Sequence, residues 1–251
     1  MLSWSKKRQI FFLGGVLLVV FLLVGFPAII TLYDGPSCSN GKQDKKENGV
    51  DCGGACRLLC QGEVLAPLVH FTRPVQVDEG LWGAVAYLEN KNIALSRSAP
   101  YRFRLYDSNN LLLYERYGQT YIPPRKIFAI FEGRMETGGR VPSRAVFEFE
   151  SAPRFESAGE EPILEVRNKR FQVVEGVSRL EAELINRTLS SYEGVYLTAL
   201  LFDEEGNVVR ASATNLEHIS AKGKANLFFT WPGIIKDPAR IEILYTFPLS
   251  E

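Results

Sequence analysis

The chain has 251 residues, 29 basic and 29 acidic side chains, and 46% hydrophobic residues. That balance excludes a disordered polyelectrolyte, whose low hydrophobic content could not support a core. With the three leading cations set aside, the remainder is 26 basic against 29 acidic, so counterion release has little to work with and nucleic acid is excluded as a partner.

Lys6-Lys7-Arg8 precede an apolar run from Ile10 to Leu32 that contains no charged side chain. At about 1.5 Å per residue, such a run crosses the roughly 30 Å hydrocarbon core of a bilayer. It exceeds the apolar core of a secretory signal, which is about 7–15 residues long, and Phe26-Pro27-Ala28-Ile29-Ile30 offers no small-x-small cleavage site. The run therefore predicts an uncleaved membrane anchor. Cations before the span and the first acidic residue, Asp34, after it place the N-terminus inside the cytoplasmic membrane. Residues 1–9 are then a cytoplasmic tail, 10–33 a single transmembrane helix, and the rest extracytoplasmic.

The four cysteines, Cys38, Cys52, Cys56 and Cys60, fall in segment 34–61. An even, clustered set in an exported segment predicts two disulfides, with a four-thiolate zinc site as the rival and three pairings open. The segment is dense in Gly and Asn and has no hydrophobic period, so cross-links must hold it. Asn40, Asp44, Glu47 and Asp51 supply oxygens of the kind calcium takes, and they also suit turn-capping. Cys38, Gly41, Glu47, Gly49, Asp51, Cys52, Gly53, Gly54 and Cys56 resemble a cysteine motif of bacterial surface and secreted proteins. Asn40 and Asp44 exchange the residue types usual in that motif. The resemblance implies an extracytoplasmic disulfide-tied module, with calcium as its candidate cofactor and no other cofactor expected.

An internal repeat follows. Ala84, Ala86, Leu88 and Asn90 match Leu180, Ala182, Leu184 and Asn186 at an offset of 96. The same offset relates Tyr101, Phe103, Leu105 and Asp107 to Leu197, Ala199, Leu201 and Asp203, and Pro142, Phe147 and Phe149 to Pro238, Ile243 and Tyr245. A period near 100 residues is domain duplication rather than a solenoid. Alternation such as Leu180-Glu181-Ala182-Glu183-Leu184 marks strands with one wet face, and Asp203-Glu204-Glu205-Gly206-Asn207 marks a hairpin turn. Asn110 stands at the Gly206 position, as the next-best residue for a positive φ.

Phe103-Arg104-Leu105-Tyr106-Asp107 resembles the pattern for which the FxLYD domain family is named, with Ala199-Leu200-Leu201-Phe202-Asp203 a looser version. Asn186, Gly206-Asn207-Val208-Val209 and Lys222-Gly223 are similar to that family too. Ala199 replaces the named aromatic and Asn110 replaces Gly. The resemblance implies immunoglobulin-like sandwiches in bacterial or archaeal envelope proteins and carries no general activity. The expected fold is thus mainly β: one transmembrane helix, the disulfide-rich segment, and two tandem Ig-like β-sandwiches at 62–153 and 163–251. The Pro- and Glu-containing linker, 154–162, is short, so the sandwiches are expected end to end with limited swing.

No reaction chemistry emerges. His70 and His218 have no ligands at metal spacing, Gly138-Gly139 is a turn, and Asp107 and Asp203 read as turn-formers. Tyr114, Tyr117 and Tyr121 cluster in the first copy, where Arg210, Ala213 and Glu217 stand in the second. They suit either strand packing or a partner-binding face. The expected function is non-enzymatic, with no small-molecule substrate. The chain is a membrane-anchored envelope protein whose Ig-like domains serve as a structural or protein-interaction module. Its partners are the bilayer and an envelope protein; the alternatives are a bracing subunit of a larger membrane complex or an enzyme accessory.

Overall fold

The computed structural model describes residues 4–27, 37–158 and 163–246. The chain divides into two units, residues 1–56 and 57–251. In the first unit, α1 spans Trp4–Val20 and continues through a π-helical turn, Phe21–Gly25. This helix starts before the uncharged run and carries Lys6 and Arg8 in its first turns. Within Trp4–Gly25, an 18-residue window has a mean hydropathy of 2.2, and none of that window is buried in the protein. The helix has the length and composition of a membrane anchor or a signal sequence. The expected continuation to residue 33 lies outside the described residues.

The described part of the cysteine-rich segment forms turns and two isolated bridges, Gly49 to Cys52 and Leu58 to Glu156. Cys38 bonds to Cys56, and Cys52 and Cys60 are disulfide-bonded as well, so no thiol is free for zinc. Gly54 is required at its turn: its φ is +59°, and a Cβ there would strike the Lys46 carbonyl, which Ala55 N–H already occupies at 2.8 Å.

The described part of 57–251 forms thirteen strands. They are β1 (Leu68–Asp78), β2 (Leu81–Asn90), β3 (Ala94–Tyr106), β4 (Leu112–Ile122), β5 (Lys126–Glu136), β6 (Arg144–Phe149) and β7 (Glu156–Ser157). Then come β8 (Leu164–Val174), β9 (Val177–Asn186), β10 (Tyr192–Phe202), β11 (Val208–Ile219), β12 (Lys224–Trp231) and β13 (Arg240–Thr246). All their pairings are antiparallel. The sheets are β1-β2-β5 and β4-β3-β6 in the first copy, and β8-β9-β12 and β11-β10-β13 in the second. The second copy thus repeats the strand order of the first. Strands β1, β2, β4 and β6 begin 96 residues before β8, β9, β11 and β13.

Each copy encloses a core between its own two sheets. Ala84, Ala86 and Leu88 of β2 face Phe103, Leu105 and Phe147 in the first. Leu180, Ala182 and Leu184 of β9 face Leu197, Ala199 and Leu201 in the second. A third apolar layer joins the copies: Val75, Val85 and Ala129 meet Leu200, Phe202, Val208 and Ala211. The four sheets therefore stack in the order β4-β3-β6, β1-β2-β5, β11-β10-β13, β8-β9-β12. The two inner sheets are covered on both faces, which is why Ala84, Val85 and Ala86 are all buried, as are Leu197 through Phe202.

This packing corrects the end-to-end expectation. The cause is visible at repeat-equivalent positions. Arg102, Arg104, Tyr106, Glu115 and Glu148 in the first copy become Thr198, Leu200, Phe202, Ala211 and Leu244 in the second. On the exposed sheet, Arg102 and Arg104 pair with Glu148. On the covered sheet most of the same positions are apolar, and their burial drives the copies together. The linker also docks: Phe155 is buried in the first core, and Leu59 N–H donates to its carbonyl at 2.9 Å. Glu156 holds Arg57 at 3.1 Å and Arg97 at 2.9 Å. Linker residues 159–162 lie outside the described residues.

Replacing Leu200, which is fully buried between the copies, with Ala should cost about 2–5 kcal/mol in urea unfolding. Arg104→Ala, at the equivalent place on the exposed sheet, should cost within about 1 kcal/mol. Equal costs would mean that the layer between the copies is absent in solution.

Candidate functional site

The four predicted oxygen donors of the cysteine-rich segment do converge on one network. Asp51 accepts from Asn40 N–H through Oδ1 at 2.9 Å and from Gly41 N–H through Oδ2 at 2.8 Å. Asp44 Oδ2 accepts from Ser37 N–H at 2.9 Å and the Asn40 amide at 3.1 Å. Glu47 Oε2 accepts from Asp44 N–H at 3.0 Å and Asp51 N–H at 3.3 Å. These carboxylates act as caps on a loop that has no ladder to satisfy its amides. Among the described residues, the one group whose ligand atoms converge is Cys38, Glu47 and Cys56. Its two sulfurs are bonded to each other, so it offers no thiolate.

The three tyrosines of β4 do not share a face. Tyr114 and Tyr117 are three residues apart on a strand of period two, which points them to opposite sides. Tyr114 packs partly against the first core, with Arg116 over its ring at 5.7 Å. Tyr117 is 54% exposed on the outer sheet, under Arg102 at 5.9 Å. Tyr121 is buried and helps line a cleft of about 480 Å³ beside the junction of the copies. Arg97, Tyr101, Glu132, Tyr196 and Thr198 also line it. Tyr101 donates to Glu132 at 2.7 Å, and Arg116 lies 3.7 Å from the same carboxylate. Burial, then the hydrogen bond to Glu132, pushes the Tyr101 hydroxyl well above its ordinary pKa.

His70 pairs with Glu89 at 2.9 Å, and His218 lies 3.2 Å from Ser220 Oγ, both at the surface. Asp107 and Asp203 make the turn contacts expected of them. Asp107 Oδ1 accepts from Asn109 and Leu111 N–H, and Asp203 Oδ1 accepts from Asn207 N–H at 2.7 Å. That last bond heads the causes that lower the Asp203 pKa. Asn110 and Gly206 both take positive φ, at 61° and 80°.

Sequence reasoning matched Asn90 to Asn186 but missed what they do. Both are buried, and each closes a corner. Asn90 donates to the Ala94 and Pro123 carbonyls at 2.8 Å and accepts from Asn92 N–H at 3.0 Å. Asn186 donates to Ser190 and Ser220 carbonyls at 2.7 and 2.9 Å and accepts from Thr188 N–H at 2.9 Å. A repeated Asn at the end of an alternating strand was the signal: a strand has little use for Asn except to bond a neighbouring loop.

No protein-family profile matches this chain, and no curated protein does. Among solved structures, red sea bream transglutaminase is similar at 13% identity over 73% of this chain, with a TM-score of 0.25. The match covers 29% of the transglutaminase chain, and a likeness at that score carries no argument about fold or activity.

Asn186→Ala leaves the Thr188 N–H without its acceptor and removes one of two donors from each of the Ser190 and Ser220 carbonyls, and should cost about 1–3 kcal/mol by denaturant melting. Tyr87 donates to Glu242 across the junction at 3.0 Å, and burial followed by that bond raises its pKa to about 12 from 10.0. The folded chain holds this proton more tightly than the unfolded one. Its contribution to stability is therefore complete below pH 10 and falls between pH 10 and about 12. Tyr87→Phe should flatten that part of an alkaline stability profile.

Proposed function

We propose that this chain is a single-pass membrane protein that holds two tandem Ig-like β-sandwiches on the extracytoplasmic side of the cytoplasmic membrane. The N-terminus is cytoplasmic, and the sandwiches act as a non-enzymatic structural and protein-interaction module. One observation carries the reading: an exposed apolar helix headed by cations precedes a segment whose cysteines are all oxidised. Disulfides form and persist in exported compartments, and cations stay on the inner side of a span. The repeated antiparallel strand order supports the Ig-like assignment and the FxLYD resemblance. Arg- and Glu-lined outer sheets suit a module whose outer faces meet water, and Tyr117 is the member of the tyrosine set available to a protein partner. Bracing a larger membrane complex is the second form of the same reading.

Protease added to intact spheroplasts should digest the β-rich part and spare only the short N-terminal tail. Protection of the β-rich part would overturn the orientation. Crosslinked pull-down from membranes, with Tyr117→Ser as control, should recover a stoichiometric envelope protein that the variant loses. The oxygens of the cysteine-rich loop already cap backbone donors, so calcium and chelator should give the same melting temperature. A rise of several degrees with calcium would assign that loop a cation.

A further inference from the structure

Antiparallel strands send successive connections to alternate ends of a sheet. One end of the 57–251 unit carries the connections β2–β3, β4–β5, β9–β10 and β11–β12. Each of these four contains one cation and no carboxylate: Lys91, Arg125, Arg187 and Lys222. The chain entering β1 and the linker after β6, which reach the same end, carry Arg57 and Arg154 with Glu63, Glu150 and Glu156, and the linker sequence adds Glu160 and Glu161. The opposite end carries the hairpin and sheet connections β1–β2, β3–β4, β5–β6, β8–β9, β10–β11 and β12–β13, with seven carboxylates and two cations. Tyr245 fixes the two copies with their basic ends together, since its hydroxyl lies 3.1 Å from Lys126 Nζ and accepts from Leu164 N–H at 3.2 Å.

The two basic tips are the same construction. Arg125 N–H donates to the Asn92 carbonyl at 2.8 Å, and Lys222 N–H to the Thr188 carbonyl at 3.1 Å. Arg125 and Lys222 share a left-handed backbone, with φ of 47° and 54°. Asn90 and Asn186 brace the two corners from beneath. At the crest of each stands a bare aliphatic side chain two residues after a cation: Ile93, 61% exposed, after Lys91, and Leu189, 85% exposed, after Arg187. Ile93 and Leu189 are repeat equivalents, as are Lys91 and Arg187. The copies diverged widely on their sheet faces, where Arg104 answers to Leu200, yet share a solvated aliphatic flanked by cations at both crests. Core packing explains neither exposed side chain.

We infer that this end of the β-unit is a docking surface for an anionic phospholipid bilayer. The cations meet headgroup phosphates, and Ile93 and Leu189 enter the interface beneath them. Aliphatic crests select a lipid surface over a phosphate polymer, because a polymer gives those side chains no apolar phase to enter. Leu65, 63% exposed and bonded both ways to Asn92, extends the apolar contact beside the first crest. The linker after β6 also leaves from this end, and its Glu156 is held by Arg57 and Arg97. Glu165 is likewise shared between Arg167 and Arg187.

The test uses the full chain in nanodiscs, with a polarity-sensitive fluorophore on Ile93→Cys or Leu189→Cys and the native disulfides verified. A label on Gly176→Cys marks the opposite end. Incorporation into neutral discs reports the anchoring helix by itself, so its failure is distinct from failure of the tips. In anionic discs at low salt, the labels at 93 and 189 should shift to the blue and be quenched by spin-labelled lipid, while the label at 176 stays aqueous. High salt should reverse the shift, because the Debye length falls to about 3 Å at 1 M. Lys91→Glu, Arg125→Glu, Arg187→Glu and Lys222→Glu should each weaken the association at least about five-fold, with melting temperature unchanged. Aqueous emission at 93 and 189 in anionic discs overturns the inference, as does an equal shift in neutral ones. A shift produced by soluble polyphosphate but not by discs would assign the surface to a phosphate polymer and overturn it too.

Discussion

Burial of one apolar layer between unlike sheets organises the β-rich part of this chain. The β1-β2-β5 sheet of the first copy meets the β11-β10-β13 sheet of the second through Val75, Val85, Ala129, Leu200 and Phe202. Neither sheet would be stable with that face wet, because each already commits its other face to its own core. A buried Leu or Val side chain stabilises by about 1.5–3 kcal/mol, so the layer rivals a small domain core. Polar contacts at its margin then set the register, with Tyr87 on Glu242 and Lys126 on Tyr245.

Much of the strand architecture was legible in the chain, because antiparallel strands with one wet face write their period directly. The offset of 96 located equivalent strands, and the Asp203-to-Asn207 hairpin closed as its residues required. The side-by-side packing was harder to see, although its signal was present. Matching positions between the copies revealed the repeat, whereas the mismatched ones, Arg102 to Thr198 and Arg104 to Leu200, reveal the interface. The apolar stretch Leu197 to Phe202, broken only by Thr198, was the sign of a strand covered twice.

The local sites divide the same way. Proximity in sequence grouped Tyr114, Tyr117 and Tyr121, but strand geometry scatters them between a core, a surface and a cleft. The oxygen donors Asn40, Asp44, Glu47 and Asp51 do assemble, since a short disulfide-closed loop leaves them nowhere else to go. Their use as caps follows from the loop's lack of secondary structure: its amides need acceptors, and these are the acceptors at hand. Asn90 and Asn186 escaped notice as braces because a buried amide is recognised by the carbonyls of a distant loop, and sequence spacing does not report those.

Joining unlike faces has a further consequence. A head-to-tail contact, unlike a twofold one, leaves a complementary pair of faces at the two ends of the stack, and nothing in its geometry stops growth. Here the terminal faces carry Arg102, Arg104 and Glu148 on one side and Arg179, Glu181 and Glu183 on the other. Those side chains make the duplication a closed pair. Were the outermost sheets as greasy as their inner counterparts, neighbouring molecules could add indefinitely, and a module of two would become the seed of a filament.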